Sequence, residues 1–160
     1  MQKNIKKKYK IVEQLYYIDE NDNKYEVDGR HVILDPTERE REVAKMLGER
    51  YGGEIKIIPR VDFPKNIKTP DYIINDRKFD LKQITGKGKY VIEGNIRKKL
   101  KQANNFIIDI TNAKIDIEEV DRQLESIYRS KRFLWIDEIL VLKENILLNL
   151  YKRKPTVNHK

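Results

Sequence analysis

The sequence predicts an α+β fold: a mainly antiparallel sheet carrying about three helices. Three observations predict it. Two short runs rich in Ile, Tyr and Phe, Asp71–Asn75 and Lys78–Ile84, meet at Asn75-Asp76, a pair suited to a tight hairpin turn. Apolar residues recur at helical spacing in three separate stretches. The order along the chain is a β-rich start, a helix, strands, a helix, a strand, a helix and two strands, with no internal repeat.

Taken in order, residues 1–8 form a flexible basic arm, with Lys3, Lys6, Lys7 and Lys8. Residues 9–34 form a β-rich lead-in, read as a small meander with turns at Asp19–Asn23 and Asp28-Gly29. Asp35-Pro36-Thr37-Glu38 is a helix start. Asp35 can cap, Pro36 suits the first helical position and Glu38 can reach back. That helix runs to about Tyr51, buries Val43, Met46, Leu47 and Tyr51, and stops at Gly52-Gly53. Glu54–Ile58 is a strand, and Pro59–Thr69 a polar connector. After the hairpin, Val91–Asn104 reads as a helix with the apolar stripe Ile92, Ile96, Leu100 and Ala103. Phe106–Ile110 is a buried strand. A helix follows from about Asp116 to Lys131, and Leu134–Lys143 with Ile146–Tyr151 closes the chain as a hairpin. Residues 9–153 make a single domain and 154–160 a disordered tail.

The central hairpin carries the chemistry. With a two-residue turn, Ile74 pairs with Arg77, Tyr72 with Phe79 and Asp71 with Asp80. Alternation then puts Asp80 and Lys82 on one face and Phe79 and Leu81 on the other. Two carboxylates placed opposite each other repel, so a cation belongs nearby, either Lys82 or a metal ion.

Composition narrows the chemistry. Among 160 residues, 34 Lys and Arg against 26 Asp and Glu leave a net charge of +8, which favours an anionic partner, nucleic acid first. The absence of cysteine excludes disulfides, Cys-ligated zinc and a thiol nucleophile. Only His31 and His159 could serve as imidazoles, so a two-histidine nuclease is disfavoured. No apolar run approaches the roughly 20 residues of a membrane span. The basic start also lacks the apolar segment of a signal peptide.

Thr85-Gly86-Lys87-Gly88-Lys89 supplies backbone N–H groups and two ammonium groups before a helix, which suits phosphate. On that helix Asn95, Lys99 and Gln102 form a polar stripe at i, i+4, i+7. Asp71, Asp80 and Lys82 admit two reactions. In one, Pro70-Asp71 and Asp80-Leu81-Lys82 take the spacing of PD-(D/E)xK nucleases: two acids hold Mg²⁺ for DNA cleavage. In the other, a 2′-hydroxyl attacks its neighbouring phosphorus without metal, with a carboxylate or lysine as base and Asn95, Lys99 and Gln102 as donors. Without a reaction, the same residues make a salt-bridged hairpin surface on a nucleic-acid-binding module. Asp109 is either catalytic or the cap of a neighbouring turn.

Pro70–Ile74, Phe79–Lys82, Gly86–Gly88, Asn95, Lys101-Gln102 and Asn105–Asp109, in this order, resemble the C-terminal tRNase domain of CdiA-type contact-dependent inhibition toxins. Similar domains end some phage-head-morphogenesis-like proteins of Gram-positive mobile elements. The resemblance spans residues 35–152. It implies a toxin endoribonuclease that cleaves tRNA, with a barnase/EndoU/colicin/RelE-like fold, no metal requirement and a cognate immunity protein. The net charge suits an acidic immunity partner. It also implies delivery as part of a longer protein, to act in the cytoplasm of a target bacterium. Asp71, Asp80, Lys82, Asn95, Gln102 and Asp109 fall on the recurrent polar positions. Thr85, Lys87, Lys89 and Lys99 would face phosphate.

Overall fold

The computed structural model describes residues 7–100 and 102–153. Most of the basic arm, Lys101, the tail and His159 lie outside the described residues. The chain divides into two compact units. The first comprises Met1–Asp80 with Lys101–Ala103, and the second Leu81–Leu100 with Asn104–Lys160.

In the first unit the chain forms strands β1 (Tyr9–Glu13), β2 (Tyr16–Ile18), β3 (Lys24–Glu26) and β4 (Val32–Ile33), then helix α1 (Glu38–Tyr51). Strands β5 (Gly53–Ile57), β6 (Arg60–Val61), β7 (Tyr72–Ile74) and β8 (Arg77–Gln83) follow, the last running on into the second unit. β1 lies parallel to β5, with Tyr9 opposite Gly53 and Glu13 opposite Ile57. β5 pairs antiparallel with β7, and β7 with β8. The lead-in is not a meander. β2 and β3 make a separate hairpin, β4 pairs with β6 inside the expected connector, and β1 leaves to join β5. The pattern of short strands signalled β structure, but pairing partners depended on residues far along the chain.

α1 begins two residues later than its Asp-Pro signal suggested. Thr37 is the N-cap: its Oγ1 accepts the Glu40 N–H at 3.1 Å and donates to the Glu40 carboxylate at 3.2 Å. This is a reciprocal capping box, and Asp35 is freed to pair with Arg60. Glycines Gly52 and Gly53, with φ of 69° and 74°, end the helix in a conformation costly for other residues. α1 buries Val43, Ala44 and Leu47, while β5, β7 and β8 bury Ile55, Ile57, Tyr72, Ile74 and Phe79.

The second unit contains α2 (Val91–Arg97), β9 (Asn105–Asp109), α3 (Ile117–Arg129), a 3₁₀ turn (Lys131–Phe133), β10 (Glu138–Lys143) and β11 (Ile146–Lys152). Its strand order is β8-β9-β10-β11. β9 and β10 run parallel, and β10 and β11 form the expected closing hairpin. β10 starts four residues later than expected because the 3₁₀ turn occupies the chain before it. α3 is capped by Asp116, which accepts the Glu119 N–H at 2.9 Å. α2 stops seven residues short of its expected end. Ile92 and Ile96 are fully buried, but Leu100, the next residue of the stripe, is 45% exposed. The chain there closes in a tight turn, Lys99 N–H to Ile96 O at 2.8 Å. Among the described residues, three helices and mixed, mostly antiparallel strands make this an α+β architecture, as the element order predicted.

Candidate active site

The hairpin at the start of the site forms in the expected register. Ile74 faces Arg77 and Tyr72 faces Phe79 across the turn residues Asn75 and Asp76, whose φ angles are 49° and 63°. Both central residues in the left-handed region match a type I′ turn, which follows the twist of a hairpin. β7 begins only at Tyr72, however, so Asp71 lies one residue before the ladder and is not Asp80's ladder partner. Its N–H reaches Phe79 O at 3.0 Å, and its own carbonyl accepts the Ile58 N–H at 3.0 Å.

Outside the ladder, Asp71 becomes a wall of a hollow of about 220 Å³ in the first unit. Glu40 and Thr37 of the capping box, Thr69 and Arg60 also line it. Burial, and secondarily the charge of Asp71, push the Glu40 carboxyl above its ordinary value. The Thr37 bonds pull the other way, with less weight. Beneath them Tyr72 is wholly buried and donates its hydroxyl to the Glu40 carbonyl at 2.6 Å, pinning the first turn of α1 to β7. Burial raises the Tyr72 phenol strongly, and the charges of Asp71, Glu40 and Asp80 add to that while Arg39 opposes it. The three carboxylates thus act on one buried phenol. Asp80 is 1% exposed on β8. Gln102 donates its amide to Thr69 O at 2.7 Å, which fixes the segment entering Asp71. In the first unit, therefore, Asp71, Asp80 and Gln102 of the sequence-predicted set are found, with Gln102 bonded to backbone and not part of the hollow's lining.

The second unit holds the rest. Lys82 is half-buried, two residues along β8 from Asp80. Asn95 bonds back to Val91 O at 2.7 Å within α2. Lys99 and Gln102 lie past the end of α2, so the expected three-residue polar stripe does not exist. Thr85, Lys87 and Lys89 are exposed on a held loop. Gln123 of α3 donates to Gly88 O at 3.2 Å and accepts the Ile92 N–H at 3.1 Å, and Arg122 donates to Lys89 O at 3.2 Å. Bonds from Arg122, and secondarily Gln123, lower Glu119 to about 2 and keep it ionised beneath them. Asp109 is buried and accepts the Thr111 N–H at 3.0 Å and its hydroxyl at 2.5 Å, the geometry of a turn cap.

Sequence reasoning missed Glu40, Thr37, Tyr72 and Gln123. Thr37-x-x-Glu40 carried the capping-box spacing in plain sight, two residues along from the Asp35-x-x-Glu38 reading.

The profile of the contact-dependent growth inhibition CdiA C-terminal domain matches residues 68–147, half of the chain. The chain belongs to this family. The match starts just before the Asp71 hairpin and ends in β11. A solved structure shares the fold of this CdiA C-terminal domain at a TM-score of 0.56 and 22% identity, over 89% of this chain and 98% of the other. It is the CdiA-CT/CdiI toxin and immunity complex from Burkholderia pseudomallei. No curated protein sequence matches this CdiA C-terminal domain. Among its described residues, no helix is long and apolar enough to cross a membrane.

Proposed function

We propose that this CdiA C-terminal domain is a toxin endonuclease that cleaves tRNA, delivered as part of a longer protein and restrained by an acidic immunity protein. The observation that carries the nuclease reading is the hollow shared by Glu40 and Asp71, beside the buried Asp80 hairpin strand. The net +8 charge supports a polyanionic substrate, and the resemblance to CdiA tRNase domains supports tRNA. The complex from which the related fold was solved supports an immunity partner.

Two carboxylates, Glu40 and Asp71, line the hollow together with the Arg60 guanidinium. Among the described residues there is no cluster of three or more His, Cys, Asp or Glu side chains placed to hold a metal. Mg²⁺ does not need one, because it binds through one or two carboxylates, several waters and substrate phosphate oxygens. Glu40 and Asp71 supply two carboxylates whose mutual repulsion a cation would relieve. A bound cation would polarise the phosphoryl group and acidify a water. The protein's own groups do the positioning: Tyr72 holds the Glu40 backbone, Gln102 holds Thr69, and Thr37 orients the Glu40 carboxylate. Alternation along β8 places Lys78 and Lys82 on the same strand face as Asp80.

One observation favours a second chemistry. A carboxyl raised above its ordinary value, as Glu40 is, makes a better base for a 2′-hydroxyl in metal-free transesterification. Gels of tRNA incubated with purified domain, in Mg²⁺ or in EDTA, separate the two. Cleavage lost in EDTA and in Asp71→Ala is the expected result. Undiminished cleavage in EDTA would move the chemistry to the metal-free route, and no cleavage of any RNA or DNA would end the nuclease reading.

A further inference from the structure

A second hollow, of about 420 Å³, lies in the second unit. Its walls are Tyr90, Glu93, Gly94, Arg97 and Arg132. Tyr90 is the N-cap of α2, and 90, 94 and 97 follow the i, i+4, i+7 spacing of one helix face. Gly94 therefore sits between the aromatic ring and the Arg97 guanidinium.

Gly94 is a helix-interior glycine, and glycine is disfavoured there. The usual reason, close approach of another element, is missing: a Cβ built on Gly94 would meet nothing within 4 Å. What the missing side chain does provide is room in the hollow. Tyr90 is 63% exposed, an uncommon state for so large a ring, with the Lys89 ammonium 5.8 Å from its centroid. Glu93, the one acid in the walls, is engaged by Arg132 at 2.7 Å. An open ring, an exposed Arg97 and a cation beside the ring are the parts that hold a base and its phosphates.

We propose that this hollow binds an unpaired RNA nucleotide, with its base stacked on Tyr90 and its phosphates beside Lys89 and Arg97. The proposal rests on the nuclease reading and deepens it, because it places a single-stranded segment of the substrate against α2. A rigid duplex, whose bases are already stacked, would gain little from Tyr90.

The test is fluorescence anisotropy of a short labelled single-stranded oligoribonucleotide, using the full chain with Asp71→Asn to prevent turnover. Tyr90→Ala should weaken binding about tenfold, and Tyr90→Phe should restore it. Gly94→Leu fills the hollow from a position with open space, so it should weaken binding similarly while its circular dichroism matches that of the parent. Duplex RNA of equal length should respond less to Tyr90→Ala and Gly94→Leu. Equal oligoribonucleotide affinity in the parent and Tyr90→Ala would overturn the proposal. So would a Tyr90→Ala variant that keeps RNA affinity but loses an acidic protein partner. Failure of the two readings is distinguishable: binding with this pattern in a domain that cuts nothing keeps the site and removes the nuclease. Normal tRNA cutting with Tyr90-independent binding does the reverse.

Discussion

Glu40 is held by its bond to Thr37 while burial beside Asp71 works against its charge. Its carboxyl sits in a hollow beside Asp71 and holds its proton to higher pH in the folded chain than its ordinary value of 4.5. A group whose value is raised on folding favours the folded state most at low pH, and that contribution is lost as pH rises through the raised value. Glu40→Gln keeps the cap oxygen but cannot ionise. The variant should therefore match the parent in acid and become the more stable of the two as pH rises past Glu40's titration, read as urea midpoints from acid to neutral pH. Parallel profiles would mean that neither burial nor Asp71 raises the Glu40 carboxyl in the folded chain. Tyr72→Phe addresses the group below. It removes the 2.6 Å donor from the part-buried Glu40 carbonyl, at an expected loss of about 1 kcal/mol. Loss of tRNA cleavage beyond what that destabilisation explains would show that the start of α1 must be held for the reaction.

At the scale of elements, α1 and the hairpin test how far local rules reach. Gly48 of α1 lies under β1: a Cβ there would stand 2.2 Å from Tyr9 Cδ2. Gly48→Ala gains about 1 kcal/mol of helix propensity, yet the ring is held on its strand near its base and cannot simply swing clear. The substitution should lower the melting temperature, and Tyr9→Ala in the same chain should recover much of the loss. A Gly48→Ala protein more stable than the parent would show that β1 yields easily. The same contrast explains what could be read from sequence. The β7–β8 register was legible because two adjacent residues with left-handed backbone set it locally. The end of α2 was not, because it depends on whether Leu100 finds anything to bury it. Asp71 and Asp80 were legible as polar residues of the hairpin, whereas Gln102 was read onto a helix stripe that does not form, and its bond to Thr69 O had no local signal. Glu40, from a helix 31 residues before Asp71, became visible only when β5 and β7 paired. Asn95 read as a substrate donor because its spacing said nothing of its bond back to Val91.

For the whole molecule, the net charge of +8 makes salt the natural variable. Lysines that touch phosphate release counterions, so log affinity falls linearly with log salt, by about 0.7–0.9 per contact. Lys87 and Lys89 are exposed on a loop whose backbone is held by Gln123 and Arg122. The loop is therefore set in place before any ligand arrives, and its ammonium groups can act as fixed charges rather than as a flexible brush. If both contact tRNA, replacing both with alanine should reduce the salt slope by about 1.5 and weaken binding most at low salt. Gln123→Ala should leave the slope close to that of the parent, because it removes no charge, but reduce affinity by freeing the loop that presents those charges. Titrations at several salt concentrations decide between these outcomes. An unchanged slope in the double alanine variant would place the phosphate-facing cations elsewhere on the chain, and a Gln123→Ala variant with full affinity would show that the loop is already ordered without α3.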